Sequence, residues 1–273
     1  MKKVLVAIDA RQVNMNVLDF ACYIAKLTHS KLTGIFLDNT ESHEKVAEPT
    51  YNERDRGMAA LKERAITFDE NIQLFREACS NRGTNCSVYN EIQLPATDII
   101  KESRFAELLI IDPDMSFKDR KEDVPTAFIK EVLSKSECPV VLAPYSFYGV
   151  DEIVFAYDGS AGSAFAIKQF IYLFPELTGK KITVLQVNEG GDNSFVGKDK
   201  IGELLQLHYS SIGYQLLQGK AADELFGYLL NKTNVFVVMG AFGRSMLSGL
   251  VKHSTAELII KTINLPVFIA HHK

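Results

Sequence analysis

The chain has no tryptophan, no closely spaced cysteines, no dense basic run and no apolar stretch of membrane-spanning length. Each absence removes a class of function. Its four cysteines, Cys22, Cys79, Cys86 and Cys138, form no CxxC pair and no metal-binding spacing, so neither a zinc module nor a disulfide scaffold is indicated. Cys22, Cys138 and Cys79 stand in apolar-patterned segments, as buried thiols do, and the expected compartment is the reducing cytoplasm. Thirty Lys and Arg against 34 Asp and Glu give a net charge of −4. That balance argues against nucleic acid or an anionic membrane surface as the partner. The opening Met1-Lys2-Lys3 and Val4–Ile8 are too short for a secretion signal, and Asp9 and Arg11 end the run. No segment reaches the roughly 18 apolar residues of a membrane span.

Familiar catalytic signatures are missing too. There is no G-x4-G-K-[ST] phosphate loop and no H-E-x-x-H metal site, and Asp158-Gly159-Ser160 is not a G-x-S-x-G elbow. The histidines have no ligand spacing beyond the terminal His271-His272 pair. Asp9 and Asp112 fall at the ends of two expected strands, but a phosphoacceptor receiver needs a further acidic residue on the first strand, and none is there.

What is present is a repeat. Val4-Leu5-Val6-Ala7-Ile8-Asp9 matches Ile153-Val154-Phe155-Ala156-Tyr157-Asp158: a buried strand that ends on aspartate and leads into a helical pattern. Cys138-Pro139-Val140-Val141-Leu142-Ala143 matches Leu265-Pro266-Val267-Phe268-Ile269-Ala270. Between these markers strands are expected at 32–37, 84–89 and 107–112, then at 182–187, 213–217 and 234–239. Helices are expected near 56–82, 95–104, 123–135, 198–208, 221–231 and 254–263. Strand–helix alternation with continuous apolar strands predicts an α/β fold of two tandem doubly wound, five-stranded parallel sheets. The domains are read as 1–146 and 147–273, joined around Tyr145–Val150, where Pro144 and Gly149 interrupt the pattern. The last strand of each half is apolar and opens at a proline, which suits an edge. The two are expected to pair, inside the chain or between chains. The polar 39–56 segment makes the first half longer and reads as a solvated loop, with a lid as the alternative.

The most informative stretch is Met239-Gly240-Ala241-Phe242-Gly243, followed by His253-Ser254-Thr255. It reads as a strand opening into a glycine-hinged loop and then a helix N-terminus, a setting that holds phosphate. Ser254 and Glu257 also form a capping box. At the matching positions of the first half stand Asp112 and Met115, within Asp112-Pro113-Asp114-Met115. Carboxylates repel phosphate and Pro113 removes an amide donor, so no nucleotide is expected there.

Asp158, Gly240-x2-Gly243-x9-His253-Ser254 and Leu265-Pro266-Val267-Phe268-Ile269 resemble the universal stress protein family, as two copies covering nearly the whole chain. The resemblance implies an adenine-nucleotide-alpha-hydrolase-like fold paired through its last strands, and ATP or another adenine nucleotide bound after the fourth strand of the second half. It implies Ala156, Tyr157 and Asp158 beside the adenosine, Val187 lining the adenine pocket and Met239 under the loop. Gly240 and Gly243 would admit the backbone to the nucleotide, and Ser254 and Thr255 would meet phosphate. His253 stands where the motif has glycine; its ring either obstructs phosphate or donates to it, with Arg244 and Lys252 nearby. Mg²⁺ would arrive only with nucleotide. No catalytic residue is indicated, and the reading is of a stress-response binding module. Two alternatives stay open: a nucleotide-free interaction module, and a slow ATPase or phosphotransferase.

Overall fold

The computed structural model describes residues 1–38, 51–89, 94–118, 121–191, 193–240 and 263–271, with the side chains of the 51–81 helix described from Ile66 onward. Ten strands make one sheet. In the first half they are β1 (Lys3–Asp9), β2 (Lys31–Leu37), β3 (Cys86–Tyr89), β4 (Leu108–Ile111) and β5 (Val140–Leu142). In the second they are β6 (Glu152–Ala156), β7 (Lys181–Asn188), β8 (Ile212–Gln218), β9 (Val235–Gly240) and β10 (Val267–Ala270). The order across the sheet is β3-β2-β1-β4-β5-β10-β9-β6-β7-β8. Neighbours within each half are parallel. Among the described strands the one antiparallel join is β5 with β10, in register Val267↔Leu142, Phe268↔Val141 and Ile269↔Val140. The terminal strands therefore pair inside the chain, and each covers the other's apolar edge.

The helices are α1 (Met15–Leu27), α2 (Tyr51–Asn81), α3 (Pro95–Ser103), α4 (Ala127–Lys135), α5 (Ala161–Leu173), α6 (Lys198–Gln206) and α7 (Ala221–Leu229). Alternate residues of β1 enter opposite cores, because successive strand side chains point to opposite faces. Val4, Val6 and Ile8 pack with α1, α2, α5 and α6, whereas Leu5 and Ala7 pack with the α3, α4 and α7 side. Both faces of the sheet are covered, which explains why its central strands are continuous apolar runs.

The first of these cores is aromatic where the halves meet. Phe170 packs edge-on against Phe268 and Phe236 at 5.4 and 5.1 Å, and Phe20 of α1 meets Phe147 at 5.0 Å and Phe236 at 6.3 Å. Phe20, Phe170, Phe236 and Phe268 are all fully buried. At about 1.5–3 kcal/mol for each large apolar side chain, this cluster gives the join between halves the character of a domain core.

Local chemistry sets the helix starts. Asn14 caps α1 by accepting from the amides of Asn16 and Val17, Thr126 caps α4, and Ser160 caps α5. Pro95 opens α3, where its missing N–H costs nothing. Two helix starts differ from the sequence expectation: the helix expected from 123 begins at Ala127, after the Thr126 cap. The long helix expected from 56 begins at Tyr51, so the end of the polar 39–56 segment is helical, and residues 39–50 lie outside the described residues.

Candidate functional site

In an open α/β sheet, ligands bind beyond the carboxyl ends of the strands where the winding reverses. The strand order gives this chain two such places, between β1 and β4 and between β6 and β9.

At the second, Ala156 ends β6 and Tyr157 continues the ladder, its amide donating to the Leu185 carbonyl at 2.9 Å. Asp158 follows at the surface. Its Oδ1 accepts the Ser160 amide at 2.9 Å, and the Ser160 hydroxyl in turn accepts the Ser163 amide at 3.1 Å. Partial burial pushes the Asp158 carboxyl up, but hydrogen bonds from Ser160 and Ser163 outweigh it and hold the group below its ordinary value. Asp158 is thus an ionised acceptor fixed at the start of α5, suited to hydroxyls of a sugar rather than to phosphate.

Gly240 and Met239 close β9. Met239 is buried among the α7-side core. A β-carbon on Gly240 would lie 2.7 Å from the Gly162 carbonyl carbon and 2.8 Å from the Ser163 nitrogen. The glycine is therefore required for close packing of β9 against the first turn of α5, whatever else it does.

The segment after β7 was not singled out from sequence, yet it folds back over this edge. Gln186, 2 % exposed, donates to Asn188 Oδ1 at 2.8 Å and accepts the Val196 amide at 3.1 Å. Asn188 donates to the Ser194 carbonyl at 2.8 Å. Phe195 then stacks on Tyr157 with centroids 6.4 Å apart and planes 16° apart, and Val196 lies against Gly159. Gly159 has φ +78, where a β-carbon would also meet Val196 Cγ1 at 2.8 Å. The sequence signal was a glutamine buried within a mainly apolar strand. Val187 is half-buried at the end of β7. Ala156, Tyr157, Asp158, Met239 and Gly240 are thus brought to one edge, while Gly243, Arg244, His253, Ser254 and Thr255 lie outside the described residues.

The equivalent place in the first half holds a cavity of about 570 Å³, lined by β1, the start of α1 and the residues after β4. Its mouth is acidic and internally bonded. Arg11 forks onto Asp9, with Nε to Oδ1 at 2.9 Å and Nη2 to Oδ2 at 2.7 Å. Asn14 donates to Asp112 Oδ2 at 2.7 Å, and the Asp114 amide donates to Asp112 Oδ1 at 3.0 Å. Thr126, which caps α4, gives its hydroxyl to the Met115 carbonyl at 2.6 Å. Ser116 and Lys118 hold Glu122. Burial raises the Glu122 carboxyl, but these two donors bring it below its ordinary value. The side chains of Arg11, Asn14 and Thr126 are thus engaged by carboxylates and a carbonyl.

No family model matches the chain. A universal stress protein from Synechocystis sp. is 26% identical over 144 residues, a match spanning 52% of this chain and 50% of that protein. The chain thus aligns with about half the length of that curated relative. Among solved structures, a universal stress protein from Archaeoglobus fulgidus DSM 4304 superposes over 99% of this chain and 98% of its own, with TM-score 0.70 at 17% identity. The chain carries the universal stress protein fold in two copies. A second solved structure, described as a putative universal stress protein from Pseudomonas aeruginosa UCBPP-PA14, superposes over 99% of this chain and 93% of its own, with TM-score 0.55 and 16% identity. Among the described residues, no helix is long and apolar enough to cross a membrane.

Proposed function

We propose that this universal stress protein chain is a binding module that takes ATP or another adenine nucleotide at the carboxyl edge of its second half. Asp158 carries the reading. It is an ionised carboxylate, fixed by the Ser160 amide at the point where the winding reverses between β6 and β9, and it would accept a ribose hydroxyl. The phosphates would fall to the 240–255 stretch, with Mg²⁺ arriving as part of the nucleotide. The first half, its phosphate loop replaced by an acidic and self-bonded one, would serve as a structural partner. The domain division at 146/147 and work in the cytoplasm belong to this reading. It requires no catalytic step.

Calorimetric titration of the full chain with ATP tests it. One nucleotide per chain is expected, and Asp158→Ala should weaken binding about tenfold, the loss of one hydrogen bond to a charged group. Absence of heat at millimolar ATP, with no nucleotide released on denaturing the purified protein, overturns it.

A second reading, a nucleotide-free interaction module, is favoured by one observation. Phe195 and Val196 already cover Tyr157 and Gly159 beside Asp158.

A further inference from the structure

On the face of the sheet shared by α1 and α2, two thiols touch. Cys22 of α1 is 1% exposed and Cys79 in the last turn of α2 is fully buried. Their sulfurs are 3.9 Å apart, in hydrogen-bond contact but not covalently joined. A disulfide requires about 2.05 Å, so side-chain rotation and a small helix shift need to close only about 2 Å.

The surroundings make the two sulfurs unequal. The contact with the Cys79 sulfur, against the opposing effect of burial, lowers the Cys22 thiol to about 7. The Thr84 hydroxyl, buried and without a full hydrogen bond of its own, pulls in the same direction, as does the Arg82 guanidinium. Arg82 is anchored on Asp19 and on the Ala78 carbonyl. Cys79 is pushed upward, first by its bond to Cys22, then by burial and by Cys86. Cys22 is therefore the more acidic thiol of the pair and Cys79 the less acidic one.

A third thiol and a cavity lie beside the pair. Cys86, half-buried on the sheet-edge strand β3, adjoins Cys79. A solvent cavity of about 500 Å³ reaches Ala25, Gly83, Thr84 and Asn85 at the same corner.

We propose that Cys22 and Cys79 form a reversible disulfide under hydroperoxide, with Cys22 as the attacking sulfur, stapling α1 to α2. The Cys22 thiolate attacks one peroxide oxygen, the O–O bond breaks, and the departing hydroxide takes a proton to leave as water. Cys22 is then a sulfenic acid. The Cys79 sulfur attacks the Cys22 sulfur, the S–O bond breaks, and the leaving hydroxide departs with the Cys79 proton as a second water. Two thiols and one peroxide become one disulfide and two waters, and any dithiol reductant reverses the change. The other end of α1 lines the 570 Å³ cavity, so the staple acts on an element of that cavity's wall.

The test treats the folded full chain with hydrogen peroxide, alkylates remaining thiols and maps peptides by mass spectrometry without reduction. A Cys22–Cys79 linked peptide that dithiothreitol abolishes is expected, with Cys138, buried and raised to about 12, still alkylated as a thiol after unfolding. In Cys79→Ala the link is lost and a 1,3-dione captures a sulfenic acid at Cys22. Cys86→Ser, which leaves the pair intact, is expected to keep the link. Cys22 and Cys79 staying reduced while Cys86 is oxidised overturns the proposal, as does a Cys79–Cys86 link as the main product. Loss of the Cys22–Cys79 link in a folded Cys86→Ser chain overturns it as well.

Discussion

Gly240 ends β9 against the backbone of Gly162: a β-carbon on one would stand 2.7 Å from the carbonyl carbon of the other. The obstacle is backbone, which cannot swing aside as a side chain would. Gly240→Ala is expected to cost about 1–3 kcal/mol through overpacking, read as a lower urea midpoint with an unchanged slope. An unaltered midpoint would show that the contact relaxes freely. Loss of ligand binding in this variant means little until that cost is known.

Acid should destabilise the protein in a residue-specific way. Burial raises the Glu152 carboxyl, but Thr183, Lys232 and Lys181 bond it at 2.6, 3.0 and 3.3 Å and bring it below its ordinary value. A carboxyl lowered in the folded state contributes stability above its unfolded pKa of about 4.3 and loses it as pH falls through the folded value. Asp158 and Glu122 share this sign. Denaturant midpoints should therefore fall steeply below about pH 4. Glu152→Gln is expected to lose about 1–3 kcal/mol at pH 7 and to show a shallower acid decline. Parallel pH profiles for variant and parent would remove Glu152 from the account.

Phe195→Ala separates the two functional readings. It removes the ring stacked on Tyr157, at an expected cost of about 1 kcal/mol beyond lost burial. If the loop walls a nucleotide site, calorimetry will give weaker ATP binding in the variant. Tighter binding would mean that Phe195 plugs the site.

The join between halves should behave as a core. Phe268 is fully buried against Phe170 and Phe174, and Phe268→Ala is expected to cost about 3–5 kcal/mol. Residues 1–146 and 147–273, produced as separate chains in one cell, should co-purify as a one-to-one pair, because each alone exposes an apolar strand edge. Recovery of two independent soluble monomers would contradict that.

Strand identity and helix placement were legible because repetition and apolar runs are local signals. The expected strand at 213–217 is Ile212–Gln218, and the expected helix near 221–231 is Ala221–Leu229. The pairing of β5 with β10 could be inferred because both are apolar strands needing an edge partner. Other relations were invisible for a physical reason: they are made by residues far apart in the chain or by a missing atom. Cys22 and Cys79 meet across 57 positions. Gly240 was singled out for nucleotide approach, whereas its close contact is with α5. Phe195 covers Tyr157 only because Gln186, inside a strand, holds the returning loop. Of the candidate site, the strand-end residues stand at one edge of the sheet, and the 243–255 members lie beyond the described residues.

The antiparallel seam between β5 and β10 has a consequence for how this molecule can change over generations. A dimer of identical subunits writes every mutation twice, so a substitution that spoils one binding edge spoils both. Here the two partners are separate stretches of one chain, joined by hydrogen bonds between Val140–Leu142 and Val267–Ile269. Each half is free to drift without copying its errors into the other. Asp112 follows the end of β4 and Gly240 ends the corresponding β9, so a change at one leaves the other as it is.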